Sequence, residues 1–333
     1  MRSFKKILLH FMVIMLFIIL IDRIGHYLYE SVGDNTYYTI DELKEMEGSI
    51  ETLLLGTSLV QRGMDPSVIS ESLDTVCFNL ASSAQPIAGS YYLLKDQISR
   101  NPIERVFMGV SVKSFVSDED SKSTTSKLRA FDLIRSPLIK LQFMTEIAET
   151  GEYERFLFFP ARVEKVVGLS AILRNVKYRQ TGDYKNRITY PGVSLKYYGT
   201  GFQSSVETYN GSQANKVIPE TSVWAREKIL DENVYYLEKI GEICRENNVE
   251  LNIVVFPHVQ DYAKKQGNLA DMDEYLREFC GELGASLYNY NYTACSDIYD
   301  ILPNAYFMDR KHLNTMGAKR MARVLCVDYK NYD

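Results

Sequence analysis

Five short apolar runs, at 51–55, 75–80, 105–110, 251–256 and 285–290, constrain this chain more than any other feature. The first is representative: residues 50–55 are strand-length and hydrophobic, and they end at Gly56, so they read as a buried β-strand. Helical patterns lie between several of the runs. One at 88–99 follows the second run, one at 222–247 precedes the fourth, one at 271–283 precedes the fifth, and 315–327 closes the chain. Within 222–247, Ile229, Val234, Leu237, Ile240 and Ile243 recur at helical spacing. Strands alternating with helices predict an α/β fold with a parallel sheet covered on both faces. At 333 residues the chain is long enough for one large α/β domain or two modest ones.

The alternation is interrupted once, between the third run and the helix at 222. The interruption opens with "SDEDSKSTTSK" (117–127), which predicts a polar, mobile loop. It continues through a helix near 135–150 and ends in "YPGVSLKYYGTGFQSSVETYNGSQ". Structureless loops of that length are uncommon in compact domains, so about 113–221 is predicted to be an insertion with structure of its own. A lid or substrate-binding cap is one role for it, and a packing appendage is another. Residues 34–47 read as a polar connection or short helix.

At the N-terminus, Arg2, Lys5 and Lys6 precede an almost unbroken apolar run from Ile7 to Ile21. That run is slightly shorter than the ~20 residues of a spanning helix, so Phe4 and the flanks contribute. The basic flank predicts a cytoplasmic N-terminus and an exported remainder. Bulky residues follow (Ile24, His26, Tyr27, Leu28) instead of a small-residue cleavage site. Residues 1–33 are therefore expected to be a retained, single-pass signal anchor in the cell membrane, with 48–333 forming the α/β domain outside it.

Net charge is −5, which argues against nucleic acid as the main partner. The 24 tyrosines suit sugar stacking, and equally suit a half-buried core. Cysteines 77, 244, 280, 295 and 326 contain no C-x-x-C and no zinc-like spacing, so no metal site is predicted, and no cofactor. Cys77 reads as a core filler. A Cys280–Cys295 bridge is open in an oxidising compartment.

The chemistry centres on "IETLLLGTSLVQRGMDP" (50–66). A strand leaving through Gly56 would hold Ser58 at the carboxyl end of the sheet, where open α/β folds place ligands. Gly-x-Ser also occurs at Gly109-Val110-Ser111 and Gly192-Val193-Ser194, so the motif alone does not single out Ser58. A serine nucleophile needs a base, most often histidine. Of four histidines, His10 lies in the anchor and His26 just beyond it, leaving His258 and His312. "FMDRKHLNTMGAKRMA" puts Asp309 three residues before His312, the only Asp-x-x-His in the chain. Asn314 or Thr315 can cap the helix that follows, and Gly317 lets it pack closely. Three further residues have two readings each. His258, after Pro257, either touches substrate or satisfies a loop carbonyl. Asn79 and Gln85 either line a pocket beside Ser58 or fix a turn.

An early strand ending in Gly-x-Ser, with a late Asp-x-x-His-Leu-Asn before the last helix, resembles the SGNH (GDSL-like) hydrolase superfamily. The resemblance covers roughly 48–112 and 225–330. It implies a three-layer α/β/α domain with a parallel, flavodoxin-like sheet. Ser58 would be the nucleophile, His312 the general base and acid, and Asp309 its orienting partner. "FNLASSAQP" resembles the family's second block, with Ala84 where glycine usually stands, so the N–H groups of Ser58 and Ala84 would form the oxyanion hole. In the third block, "FMGVSVKSF" offers Ser111 where the family supplies asparagine. Loss of one such donor typically costs on the order of a hundredfold in rate.

Combined with the anchor, these motifs resemble bacterial membrane-anchored members that transfer or remove acyl groups on cell-surface polymers, such as D-alanyl transfer proteins. The resemblance then implies an extracytoplasmic acyl esterase or O-acyltransferase. Its partners would be a cell-surface glycan or teichoic-acid-like polymer and a membrane-bound acyl donor protein. The altered second and third blocks motivate an alternative, a catalytically inactive binding or assembly protein of cell-envelope polymer export.

Overall fold

The computed structural model describes residues 2–163, 168–212, 215–292 and 297–332. Its strands are β1 (Thr52–Leu55), β2 (Cys77–Asn79), β3 (Arg105–Val110), β4 (Lys196–Gly199), β5 (Phe202–Ser204), β6 (Glu250–Val255) and β7 (Ser286–Asn289). Five of them, the five apolar runs, form one parallel sheet in the order β2-β1-β3-β6-β7. β4 and β5 make a separate antiparallel pair.

The five runs are apolar on both faces because both faces are covered. Leu54, Phe107, Val254 and Tyr288 join a core with Met321 and Leu325 of the final helix, Thr315–Lys330, and with Val68 and Ile69 of the helix Pro66–Leu73. Their neighbours Leu53, Val106 and Ile253 are equally buried and point the opposite way, as period-two geometry requires. Right-handed crossovers place the helices Ile87–Ile98, Asp231–Glu246 and Leu269–Leu283 on that second face. The result is a three-layer α/β/α arrangement. From β1 the chain steps outward to β2, then returns across β1 to β3 and continues in the other direction. The carboxyl ends of β1 and β3 therefore flank the switch point, where such sheets form a crevice.

Two expectations change. The helix expected at 222–247 begins only at Asp231. Trp224 is drawn out of it: its N–H donates to the Gln266 carbonyl at 2.8 Å and its indole N–H to Asp271 Oδ2 at 2.6 Å. The stretch 117–127 is not an irregular loop. It folds into the short helix Glu119–Lys122 and the start of Thr124–Leu133, which Ser123 caps and which buries Leu128 and Phe131. The helices Thr36–Glu45 and Pro137–Ile147 fall within the stretches 34–47 and 135–150.

The contacts divide the chain into two units. One comprises 36–147 with 194–333, including the sheet; the other comprises 1–35 with 148–193. The segment that leaves the α/β unit is thus narrower than the interruption read at 113–221. In the smaller unit the helix Arg2–Tyr29 is long and apolar enough to cross a membrane. The helices Tyr153–Leu157 and Leu169–Arg179 belong to the same unit. Cys77, Cys244, Cys280 and Cys326 are free, buried thiols; Cys295 lies outside the described residues.

Candidate active site

Three segments fix Ser58. Gly56 leaves β1 with φ +138°, and a Cβ there would lie 2.7 Å from Val60 Cγ2 and 2.8 Å from the Gly109 carbonyl oxygen. Only glycine fits such a turn against its neighbours. Thr57 then caps the helix Ser58–Gly63, its hydroxyl oxygen accepting from the Leu59 N–H at 3.4 Å. Ser58 is the first residue of that helix. Beneath it, Asn79 acts as a strut: its Nδ2 donates to the carbonyls of Val60 (3.0 Å) and Met64 (3.1 Å), and its Oδ1 accepts from the Ala81 N–H at 3.1 Å.

The partner segment is equally constrained. Asp309 Oδ1 accepts the backbone N–H groups of Lys311 (2.7 Å) and His312 (2.9 Å), while its Oδ2 faces His312 Nδ1 at 2.8 Å. The Asn314 side chain caps the final helix by accepting the Gly317 N–H at 3.0 Å. At Gly317 the Tyr306 carbonyl oxygen would stand 2.1 Å from any Cβ. This close packing seats the turn 309–312 beside the carboxyl end of β1. Across 254 positions of sequence, His312 Nε2 lies 2.8 Å from Ser58 Oγ.

The proton positions follow. Burial pushes the Asp309 carboxyl up, but the hydrogen bond and charge of His312, with the two backbone N–H groups, outweigh it and hold the group well below the usual carboxylate range. An ionised carboxylate only accepts, so Nδ1 of His312 carries hydrogen. Burial lowers the His312 pKa below its ordinary value even though Asp309 pulls it up, so the ring is neutral near pH 7. Its Nε2 lone pair then accepts the Ser58 hydroxyl proton, which is the alignment a general base needs.

Ser58, Ala84, Ser111, His258 and His312 line a cleft of about 140 Å³. Among the described residues, neither the Ser58 nor the Ala84 N–H has a hydrogen-bond acceptor. Ala84 has φ +56°, the left-handed conformation that favours glycine. Ala84→Gly is therefore expected to raise stability by about 1 kcal/mol, since an L side chain in that region costs about that much. Urea unfolding at unchanged m-value is the measurement; a lower midpoint would mean the methyl contributes packing that outweighs the strain. Ser111 lines the cleft with its hydroxyl 3.3 Å from Ser114 Oγ, and its N–H is taken by Ser114 Oγ at 3.0 Å.

The remaining candidates separate. His258 lines the cleft; its Nδ1–H donates to the Lys311 carbonyl at 3.2 Å, and burial pushes its pKa down to about 3, so Nε2 is unprotonated. Asn79 and Gln85 do not line the cleft. Asn79 is the strut described above. Gln85 accepts from Ser82 Oγ and donates to Ser90 Oγ, both at 2.9 Å, which fixes its turn. Sequence reading missed Lys113, Asp120, Ser222, Tyr262, Gln266 and Lys311, all in the cleft wall. Lys113 binds Asp120 Oδ1 at 2.6 Å and Glu119 Oε2 at 3.0 Å. Burial disfavours its charge, but those two carboxylates more than restore it and raise its pKa. Among the described residues no group of three His, Cys, Asp or Glu side chains is placed to hold a metal ion.

No protein-family model matches this chain, and no curated protein matches it.

Proposed function

We propose that this chain is a membrane-anchored serine acyl-transfer enzyme of SGNH type, acting outside the membrane on a cell-surface glycan or teichoic-acid-like polymer. The observation that carries the reading is the Ser58 Oγ–His312 Nε2–Asp309 relay, with both links at 2.8 Å. In the first half-reaction His312 takes the Ser58 proton as Oγ bonds to an ester carbonyl carbon. The developing oxyanion is met by the Ser58 and Ala84 N–H groups. His312 then returns the proton to the departing alcohol, leaving an acyl-Ser58 ester. In the second, His312 removes a proton from water or a sugar hydroxyl, which attacks that ester and regenerates Ser58. The cleft is smaller than the ~300 Å³ at which drug-sized pockets begin, which favours a short acyl group. The N-terminal helix supports the tether, and its Arg2, Lys5 and Lys6 flank supports an outward-facing domain.

A fluorophosphonate probe tests the reading, because it reacts only with an activated serine. Covalent labelling of the full-length protein is expected, and Ser58→Ala is expected to abolish it. Labelling that survives Ser58→Ala but vanishes in Ser111→Ala would move the nucleophile to the other strand end. Folded protein that never labels would favour the binding-protein alternative.

A further inference from the structure

Residues 4–21 of the N-terminal helix are exposed throughout, and Asp22 is the first that is not. From that residue onward, Phe159, Pro160, Asn175 and Arg179 of the segment 148–193 meet the helix and the residue that follows it. The Phe159 N–H donates to Asp22 Oδ1 at 2.6 Å, and the rings of Phe159 and His26 meet in a tilted pair with centroids 3.9 Å apart. Pro160 Cγ would stand 3.1 Å from a Cβ at Gly25. Asn175 Nδ2 donates to the Leu28 carbonyl at 3.0 Å, and the Arg179 guanidinium reaches the carbonyls of Tyr27 and Glu30. At 1.5 Å per residue, 4–21 rise about 27 Å, close to the ~30 Å hydrocarbon thickness of a bilayer. Packing that starts at Asp22 therefore starts at the membrane surface, if the helix spans.

This segment also exposes large apolar side chains: Leu157 is 67% exposed, Leu169 71% and Leu173 58%. Leu169 and Leu173 stand four residues apart on the helix Leu169–Arg179, so they share one face. Arg174 and Lys177 are exposed on the same helix. The segment holds eight Lys and Arg against five Asp and Glu, in a chain whose net charge is −5. Exposed leucines beside basic side chains, on an amphipathic helix held at the end of a spanning helix, are the composition of an element lying in the lipid interface.

We propose that 148–193 is a membrane-surface collar. Leu169 and Leu173 enter the headgroup–acyl boundary of the bilayer crossed by the helix Arg2–Tyr29, and Arg174 and Lys177 meet lipid phosphates. Leu157, two residues before the contact with Asp22, enters the same boundary. The inference rests on the reading of the N-terminal helix as a membrane span, and not on the serine chemistry.

The test reconstitutes the full-length protein into vesicles containing anionic lipid and compares two single substitutions, Leu173→Trp and Phe17→Trp. The one native tryptophan, Trp224, is buried and supplies a constant background that the unsubstituted protein subtracts. The collar predicts that the Leu173→Trp signal shifts to the blue and loses most of its intensity with lipids brominated near the headgroup. The Phe17→Trp signal should instead be quenched most by lipids brominated near the chain ends. Phe17→Trp quenched while Leu173→Trp emits as in water would overturn the collar and leave the anchor standing. Neither quenched would overturn both. A blue-shifted Leu173→Trp that bromolipids do not quench means that protein covers this face, which also overturns the proposal. Leu169→Trp repeats the reading should Leu173→Trp fail to fold.

Discussion

His312→Ala is expected to slow acylation of Ser58 on the order of a million-fold, the loss seen when the base is removed from other serine triads. Asp309→Asn should cost about ten-thousand-fold for a different reason. The Asp309 carboxylate accepts from His312 Nδ1 and so keeps the Nε2 lone pair turned to the Ser58 hydroxyl. An amide at 309 can present its NH2 to Nδ1 instead, which favours the tautomer with hydrogen on Nε2. That tautomer cannot take the serine proton. The rate constant for fluorophosphonate capture measures both losses. A fall of less than about tenfold in either variant, far short of what triad removal costs elsewhere, would disqualify the relay as the catalytic device.

The pH dependence has a definite sign. Only neutral His312 can act as base, and burial lowers its pKa below the ordinary value despite the opposing pull of Asp309. Capture should therefore be at its plateau at neutral pH and fall only as the pH drops through that lowered value. The midpoint of the rising limb then lies below about 6.5, the ordinary imidazole value. A midpoint above it would mean that Asp309 stabilises the imidazolium more than burial destabilises it.

What the sequence made legible, and what it hid, divides along the range of the contacts. Each of the five strands is announced by its own apolar run, because both faces of a parallel sheet are buried. The placement of Ser58 after Gly56, and of Asp309 three residues before His312, is also local: a turn and a helix cap set each of them. Local patterning extends the helix at 222–247 over Trp224 because the partners that hold it elsewhere, the Gln266 carbonyl and Asp271, are more than forty residues away. The cleft wall was hidden for the same reason, since Lys113, Ser222 and Gln266 meet only in the folded chain. Ala84 conceals its conformation behind an ordinary side chain: nothing about an alanine announces φ +56°. Asn79 was visible as a polar residue after a strand, but its role depends on the carbonyls of Val60 and Met64, which no spacing reveals.

Gly109→Ala is expected to reduce fluorophosphonate capture about a hundredfold while the protein stays folded, the scale of loss when catalytic groups shift by about 1 Å. An added Cβ would stand 2.1 Å from Val60 Cγ2 and 3.1 Å from Phe256 Cε2. Val60 cannot retreat freely. Its N–H and that of Gln61 bond to the Thr57 carbonyl, Asn79 holds its own carbonyl, and its Cγ2 already lies close to Gly56. The helix Ser58–Gly63 must therefore lift from the sheet as a body, carrying Ser58 away from His312. Overpacking of this kind costs about 1–3 kcal/mol, a loss a chain of this size can tolerate, whereas the 2.8 Å proton path cannot tolerate the shift.

Val60→Ala in the same chain removes the clashing methyl and should restore capture, with a coupling energy of about 0.5–3 kcal/mol between the two sites. Failure of that rescue would place the obstruction at Phe256. Gly109 begins one of the five Gly-x-Ser triplets in this sequence. On this account that triplet supplies the flat seat on which the helix beginning at Ser58 rests.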